Sequence, residues 1–294
     1  MNIKRFAAFL IAALFCVSAL SGCSQTGSQP SAGTPSENSA PVSEAPQSEA
    51  PESEASADLL AQIQERGEIT VALEGTWAPW GYHDENDQLV GYDVEVAQHI
   101  ADKLGVKVNF VEGEWDGLLA GLNSGRYDIM ANGVDIDEAR QAKYDFSTPY
   151  AYNRTAVIVR ADDDSIQAME DLNGKQTANT LNSTYANVGE AYGATVTGVD
   201  DFIQTIELLT TGRIDATLNA EVSYYDYIKA QPNAPIKIAC IDPETTQVAI
   251  PMRKGEETAA LREAIDKALN EMAQEGTLTE LSVKYFGTDI SQNG

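Results

Sequence analysis

Cysteine and histidine are scarce in this chain of 294 residues, which contains three cysteines and two histidines. Cys16 and Cys23 lie close to the N-terminus, which leaves Cys240 as the one cysteine of the remaining sequence. A lone thiol cannot form an intramolecular disulfide, and His83 and His99 lack the spacing of paired metal ligands. These shortages exclude a disulfide framework, and we expect no metal site and no cofactor.

Basic residues are also few, because the chain has 19 Lys and Arg against 45 Asp and Glu and a net charge of −26. A chain this negative is repelled by nucleic-acid phosphates and by anionic lipid head groups. We therefore expect no nucleic-acid partner. The acidity by itself identifies no ligand.

A long apolar run occurs once, at the N-terminus. Lys4 and Arg5 precede an almost wholly apolar segment at residues 6–20, and the sequence LSGC ends at Cys23. This order is typical of a lipoprotein export signal, and the run is short for a bilayer span. The pattern predicts a signal peptide at residues 1–22, a lipid on Cys23, and an extracytoplasmic, membrane-anchored location at the cell surface or in the periplasm. The alternative is a transmembrane anchor with an incidental cysteine.

A segment of low complexity follows the signal. Residues 23–57 consist mainly of Ser, Pro, Ala, Gly and Glu, contain no Lys, Arg or aromatic residue, and end in the crude repeat SEAPQSEAPESEAS. Such a composition cannot bury enough apolar surface to offset the entropy lost on ordering. The segment is predicted to be a disordered tether between the lipidated Cys23 and the folded part of the chain.

Residues 58–294 alternate short β-branched runs with helical patterns, which predicts an α/β fold. The predicted strands lie at residues 69–73, 106–111, 128–131, 155–159, 176–180, 216–218, 236–239 and 247–251. Predicted helices include the amphipathic stretch that ends at Leu104 and residues 185–191, 202–210, 222–230, 256–275 and 278–286. This length exceeds one typical core and is sufficient for two modest lobes.

Four motifs then occur in order: GYDVEVAQHIADKL at 91–104, NGVDIDEARQAKYDFSTPY at 132–150, GRIDATLN at 212–219 and EGTLTELSVKYFG at 275–287. Together they resemble family 3 of the extracytoplasmic solute-binding proteins, the polar amino-acid receptors of ABC importers. The resemblance implies a two-lobe periplasmic-binding-protein-like fold of type II, with two crossover hinge strands. It places lobe one at residues 58–149 and 249–294, lobe two at 153–244, and the hinges near 150–152 and 245–248.

The function implied by this resemblance is that of a tethered, monomeric receptor. It would capture a polar amino acid between its lobes and deliver the amino acid to an ABC transporter permease, without enzymatic turnover. The runs WDGLLAGL and GRIDATLN favour the cystine-type branch of the family.

A free amino acid presents a carboxylate, an ammonium and a side chain, so its pocket needs a cation or a helix N-terminus, an anion, and apolar walls. Arg140 follows Asp137, which is placed to cap a helix. In the resembled family the matching arginine grips the ligand carboxylate with two hydrogen bonds. The alternative is an exposed helix arginine paired with Asp137 or Glu138.

A second anion site is predicted where Ser183 and Thr184 precede a helical pattern. Asn182 stands before them where the family usually has glycine. Ordinary N-capping would require the same hydroxyl residues, so both interpretations stay open.

Two tryptophans, Trp77 and Trp115, match positions where related proteins place aromatic pocket walls, whereas Trp80 is predicted to be a core residue. Asn132 and Gly133 begin the second motif. A glycine there would let the backbone approach a ligand closely.

The chain departs from the family after the predicted strand at 216–218, where Ala220 replaces an aspartate that pairs with the ligand ammonium. We expect Asp135 to take over this role, with Glu74 as a second candidate. The alternative is that Asp135 is a solvated loop carboxylate.

Two other functions remain open from the sequence. A cleft enzyme of the same fold, such as a dehydratase of cyclic amino-acid precursors, could use Glu74 or Asp135 as a general acid, although no nucleophile–base pair accompanies them. A surface sensory or adhesin lipoprotein is the third interpretation.

Overall fold

The computed structural model describes residues 58–293, and the structural statements below concern these residues. The predicted signal peptide, Cys23 and the predicted tether lie outside them. No described helix combines the length and the apolar character needed to cross a bilayer.

Five strands form a first sheet in the order β5–β1–β6–β13–β7. They are β1 (Glu68–Leu73), β5 (Lys107–Glu112), β6 (Ile129–Met130), β7 (Tyr144–Phe146) and β13 (Pro251–Arg253). Strand β1 pairs in parallel with β5 and β6, whereas β13 pairs antiparallel with β6 and β7. The C-terminal part of the chain therefore returns to complete the sheet that the N-terminal part began.

Both faces of the first sheet are covered. Successive strand residues point to opposite faces, so Val71 packs in one apolar cluster and Ala72 in another. The helices of this part are α1 (Leu59–Arg66), α2 (Tyr92–Leu104), α3 (Trp115–Asn123), α4 (Glu138–Gln141), α8 (Ala259–Glu275) and α9 (Thr277–Phe286). Apolar residues of α1, α2, α8 and α9 lie in the cluster of Val71, and those of α3 lie in the cluster of Ala72.

A small antiparallel sheet carries one of the pocket tryptophans. It consists of β2 (Thr76–Trp77), β3 (Gly81–His83) and β4 (Leu89–Val90), in that order. Gly91 follows β4 with a φ of 138°, and a Cβ added there would lie 2.3 Å from the Trp80 carbonyl oxygen. Glycine is therefore required where the chain turns from this sheet into α2.

The second sheet has the order β10–β9–β11–β8–β12. Its strands are β8 (Ala151–Arg160), β9 (Gln176–Asn179), β10 (Thr195–Gly198), β11 (Ala216–Ala220) and β12 (Ile236–Val248). Its helices are α5 (Thr184–Ala191), α6 (Phe202–Thr210) and α7 (Glu221–Ala230). Strands β9, β10 and β11 run parallel, and β8 and β12 pair antiparallel over most of their length.

Two segments connect the sheets. Strand β8 starts just after Tyr150, and β12 ends at Val248, whose carbonyl accepts a hydrogen bond from the Tyr150 backbone N–H at 2.9 Å. The prediction of one continuous strand at residues 247–251 is wrong. Val248 pairs with Ala151 in the second sheet, whereas Met252 pairs with Ile129 in the first, so the chain changes sheets in between.

Candidate functional site

A cavity lies between the two sheets and encloses about 590 Å³ of empty space, including open solvent at its mouth. All nine residues that the sequence marked as ligand-binding line this cavity: Glu74, Trp77, Trp115, Asn132, Gly133, Asp135, Arg140, Ser183 and Thr184. The sequence did not predict eight further lining residues: Thr76, Asn179, Thr180, Tyr185, Asp201, Phe202, Thr205 and Asn219.

Strand ends explain how separate segments meet at the cavity. Glu74 directly follows β1 and Asn132 follows β6, and these two strands are parallel neighbours in the first sheet. Asn179 ends β9, and Asn219 lies one residue before the end of the parallel β11. Ligands of open α/β sheets bind outside the carboxyl ends of the strands. This rule was the signal available in the sequence for Asn179 and Asn219.

Arg140 is buried, with 7% of its surface exposed, so the alternative of an exposed helix arginine is wrong, although the pairing with Asp137 that it included is present, with 3.3 Å between Arg140 Nε and Asp137 Oδ2. Asp137 caps α4 as predicted, because its carboxylate accepts the Arg140 backbone N–H at 2.7 Å. The guanidinium donates to the Asp135 carbonyl at 2.9 Å and to Thr184 Oγ1 at 3.0 Å. Its Cζ lies 5.2 Å from the centre of the Trp115 ring. The guanidinium thus lies over the Trp115 ring, beside the first sheet, and donates to Thr184, which belongs to the second.

The N-terminus of α5 faces the same cavity. Ser183 is the N-cap and accepts the Ala186 backbone N–H at 3.1 Å, so the capping interpretation holds for its hydroxyl. Ser183 also lines the cavity, as does Thr184. A helix N-terminus and a guanidinium together favour a bound anion.

Asp135 is also buried, with 4% of its surface exposed, which excludes the solvated loop carboxylate. Its Oδ1 has no hydrogen-bond partner among the described residues. Burial raises the pKa of Asp135, while the side chains of Thr246 and Thr184 and the Arg140 charge act to lower it. A cation brought to this oxygen would satisfy a buried acceptor that is otherwise unpaired.

Glu74 is held in a fixed orientation by Asn132. The Asn132 Nδ2 donates to Glu74 Oε2 at 2.7 Å, and the Glu74 backbone N–H donates to Asn132 Oδ1 at 2.8 Å. Burial raises the pKa of Glu74, the hydrogen bond from Asn132 lowers it, and the charge of Asp201 raises it further. The cavity therefore holds a second oriented carboxyl group.

Aromatic rings form one wall. Trp77 stacks on Trp80 with 5.5 Å between ring centroids and meets Tyr185 edge-on at 6.2 Å. Trp77 Nε1 donates to Asn219 Oδ1 at 3.3 Å. Trp80 is fully buried and does not line the cavity, in agreement with its prediction as a core residue.

Gly133 also makes room for an aromatic ring. It has a φ of 53°, and a Cβ added there would lie 2.7 Å from Cζ3 of Trp77. The missing side chain makes room for the tryptophan ring that forms the wall.

The sequence and the fold were compared with those of known proteins. The family model described as bacterial extracellular solute-binding proteins, family 3, matches residues 69–288. The chain belongs to family 3 of the bacterial extracellular solute-binding proteins. The motif-based resemblance is thereby confirmed.

Among relatives of this family 3 member, the L-cystine-binding protein TcyA of Bacillus subtilis is 40% identical over 236 residues, covering 80% of this chain and 87% of TcyA. An ancestral arginine-binding protein bound to arginine superposes with a TM-score of 0.70 at 38% identity, covering 76% of this chain and 99% of that one. The L-cystine solute receptor of Neisseria gonorrhoeae, in its unliganded open conformation, gives a TM-score of 0.56 at 38% identity, covering 81% and 100%.

These solved structures confirm the predicted fold class, a two-lobe α/β fold of the type II solute-binding kind. The lobe boundaries and the ligand-binding roles of the nine predicted residues stay predictions.

Proposed function

We propose that this protein is a receptor that captures a polar amino acid in the cavity between its two sheets and delivers it to an ABC importer. The observation that carries the proposal is that Arg140 and Asp135, whose Oδ1 has no hydrogen-bond partner, line the same cavity. A guanidinium binds a carboxylate bidentately, and a buried carboxylate binds an ammonium. These are the two charged groups that every free α-amino acid presents.

The relatives support an amino acid as the ligand, with a preference for the cystine type. TcyA is named as an L-cystine-binding protein, and the N. gonorrhoeae protein is an L-cystine solute receptor. The ancestral protein binds arginine. We therefore include cystine and arginine among the first ligands to be tested.

Closure of two lobes around the ligand is the proposed mechanism. Lobe one would comprise residues 58–149 and 249–294, lobe two residues 153–244, with hinges near 150–152 and 245–248. At equal identity, the chain superposes better on the arginine-bound protein than on the open receptor, which supports a closed arrangement here. Ligand binding would then shift an open–closed population rather than create a new fold.

The remaining parts of the proposal concern the setting. Cys23 would carry a lipid that anchors a monomeric receptor outside the cytoplasm, within reach of its transporter permease. The receptor would release its ligand unchanged, which separates it from a dehydratase of the same fold.

The test is to purify the protein under native conditions, release its small molecules and identify them by mass spectrometry. Calorimetry then measures the affinity of the identified compound. We expect a free amino acid that binds one to one and keeps its mass during prolonged incubation with the protein. A retained compound lacking an α-carboxylate would overturn the receptor proposal, and conversion of the ligand would favour the enzyme.

A further inference from the structure

We infer that Asp93 is a positioning residue that links the ligand loop, residues 132–136, to Tyr150 at the first proposed hinge segment. Three residues of this loop line the cavity, whereas Asp93 and Tyr150 lie outside its lining. The inference rests on the proposed function and explains how binding at the loop reaches the hinge.

The Asp93 carboxyl group bridges two distant parts of the chain. Asp93 is the second residue of α2 and is buried, with 1% of its surface exposed. Its Oδ2 accepts the Gly133 backbone N–H at 2.6 Å, and its Oδ1 accepts a hydrogen bond from Tyr150 Oη at 2.5 Å. Because both oxygens of this buried group are bound, it cannot rotate without leaving a buried polar atom unpaired. The bridge therefore fixes Gly133 relative to the residue that directly precedes β8.

The ligand loop is also bound directly to the second proposed hinge segment. Asp135 forms an antiparallel bridge with Val248, the last residue of β12. The Ile136 backbone N–H donates to the Gln247 carbonyl at 2.8 Å. Val248 in turn accepts the Tyr150 backbone N–H at 2.9 Å. The loop, Tyr150 and the end of β12 thus form one hydrogen-bonded unit.

The bond to Asp93 holds the ligand loop at its most flexible position. Gly133 has a φ of 53°, and glycine has more backbone freedom than any other residue. A Cβ added there would lie 2.7 Å from Cζ3 of Trp77, so the backbone and the ring are closely packed. A displacement of Gly133 would therefore disturb both the Trp77 wall and Asp135, which lies two residues further along the loop.

Positioning and plain core packing lead to different results. If Asp93 only satisfies buried donors, its loss lowers the stability of the fold and leaves the amino-acid affinity of the folded protein intact. If Asp93 positions the ligand loop, loss of its bond to Tyr150 also frees the loop from the arrangement that fits the amino acid. Binding must then order the loop, and the affinity falls by the cost of that ordering.

The experiment compares two buried tyrosines. Tyr150→Phe removes the hydroxyl that donates to Asp93. The matched control is Tyr92→Phe, because Tyr92 is also fully buried, stacks on Tyr150 with 5.8 Å between ring centroids, and donates from Oη to the Tyr150 carbonyl at 2.9 Å. Both variants lose one buried hydrogen bond beside the hinge, but only Tyr150→Phe loses the bond to Asp93.

Calorimetry on the full-length wild-type protein, at one pH, measures binding of the standard amino acids and L-cystine, and the tightest binder is then used with the variants. Urea unfolding without amino acid measures stability. We expect Tyr150→Phe to weaken binding about threefold or more, the effect of one hydrogen bond. Tyr92→Phe should leave the affinity unchanged, although both variants lower the free energy of unfolding.

Asp93→Ala should weaken binding further than Tyr150→Phe, because it also releases Gly133. Tyr150→Phe should add nothing in the Asp93→Ala background, since the hydroxyl has then lost its partner.

Equal effects of Tyr150→Phe and Tyr92→Phe on the affinity, or no effect of either, would overturn the inference and leave the proposed function intact. An additive effect of Tyr150→Phe in the Asp93→Ala background would also overturn it. The comparison of the two tyrosine variants decides the question even if Asp93→Ala does not fold. If the wild-type protein binds no amino acid, the proposed function fails and the inference fails with it.

Discussion

Asn182 and Asp116, which neighbour the lining residues Ser183 and Trp115, are joined by a hydrogen bond in which Asn182 Nδ2 donates to Asp116 Oδ1 at 3.0 Å. Asp116 is the second residue of α3, beside the first sheet, whereas Asn182 precedes α5 on the second. Asn182 has a φ of 59°, a left-handed conformation that asparagine tolerates and glycine adopts freely. A contact of this kind exists only while the two sides touch, so we expect it to stabilise the closed arrangement proposed above.

Asn182→Gly tests this contact with little change to the backbone. Glycine keeps the left-handed conformation and the carbonyl that accepts from Arg140, and it removes only the donating amide. Loss of one hydrogen bond of about 0.5–1.5 kcal/mol should speed ligand release about two- to tenfold. Stopped-flow release of the identified ligand measures the rate. Asp116→Ala should add nothing in the Asn182→Gly background, and additive effects would contradict a direct contact.

Arg140→Ala should abolish most of the ligand affinity. The variant leaves a ligand carboxylate unpaired in a closed cavity, a loss of about 2–5 kcal/mol. Calorimetry with the wild-type ligand measures it, and Arg126→Ala, a change at an exposed arginine outside the cavity, serves as the control. Unchanged affinity in a folded Arg140→Ala protein would remove the carboxylate role of this residue.

Asp135→Asn should weaken binding of an α-amino acid about tenfold or more, because the ammonium loses its charged partner. Ala220→Asp in that background should recover part of the loss by restoring the family aspartate. Ala220 immediately precedes α7, where an aspartate is also a favourable N-cap. A double-mutant cycle measures the coupling. Compensation is refuted if the Asp135→Asn protein binds as tightly as its parent.

Asp93 should make the folded state less stable as the pH rises. Its side chain is buried and accepts Tyr150 Oη at 2.5 Å and the Gly133 backbone N–H at 2.6 Å. Burial raises the pKa of Asp93 from 3.8 to about 7. Between these values the folded state keeps a proton that the unfolded state releases, so the free energy of unfolding falls with increasing pH.

The matched variant is Asp93→Asn, which cannot titrate. Urea unfolding at pH 4, 5.5 and 7 gives the difference in unfolding free energy between the two proteins. This difference should shift in favour of Asp93→Asn by up to about 4 kcal/mol over the range. Parallel curves for the two proteins would mean that Asp93 does not titrate there.

Cys23→Ser tests the predicted anchor. Without the thiol, the chain cannot receive a lipid at the predicted site, so it should leave the membrane fraction and lack the mass of a diacylglycerol. Membrane fractionation measures the location of the protein, and mass spectrometry of the intact protein measures the lipid mass. Cys240→Ser is the thiol control. A lipidated, membrane-bound Cys23→Ser protein would contradict the prediction.

The sequence by itself determined the family, the α/β class and many of the local elements. The helix Phe202–Thr210 lies where its pattern predicted it, and Asp137 caps α4 as expected. Capping and amphipathic periodicity depend on residues within one or two turns of each other, so a single segment contains the necessary information.

Only the tertiary structure decided which polar residues are buried and which of them share a cavity. Asp135 could have been a solvated carboxylate until the fold buried it beside Arg140. Asp201 carries no local signature of a ligand site, and it lines the same cavity as Glu74 only because the two sheets face each other. The strand expected at 247–251 was divided for the same reason, since its halves pair with different sheets. Burial and strand pairing depend on residues far apart in the chain, and short patterns do not encode which distant segments will meet.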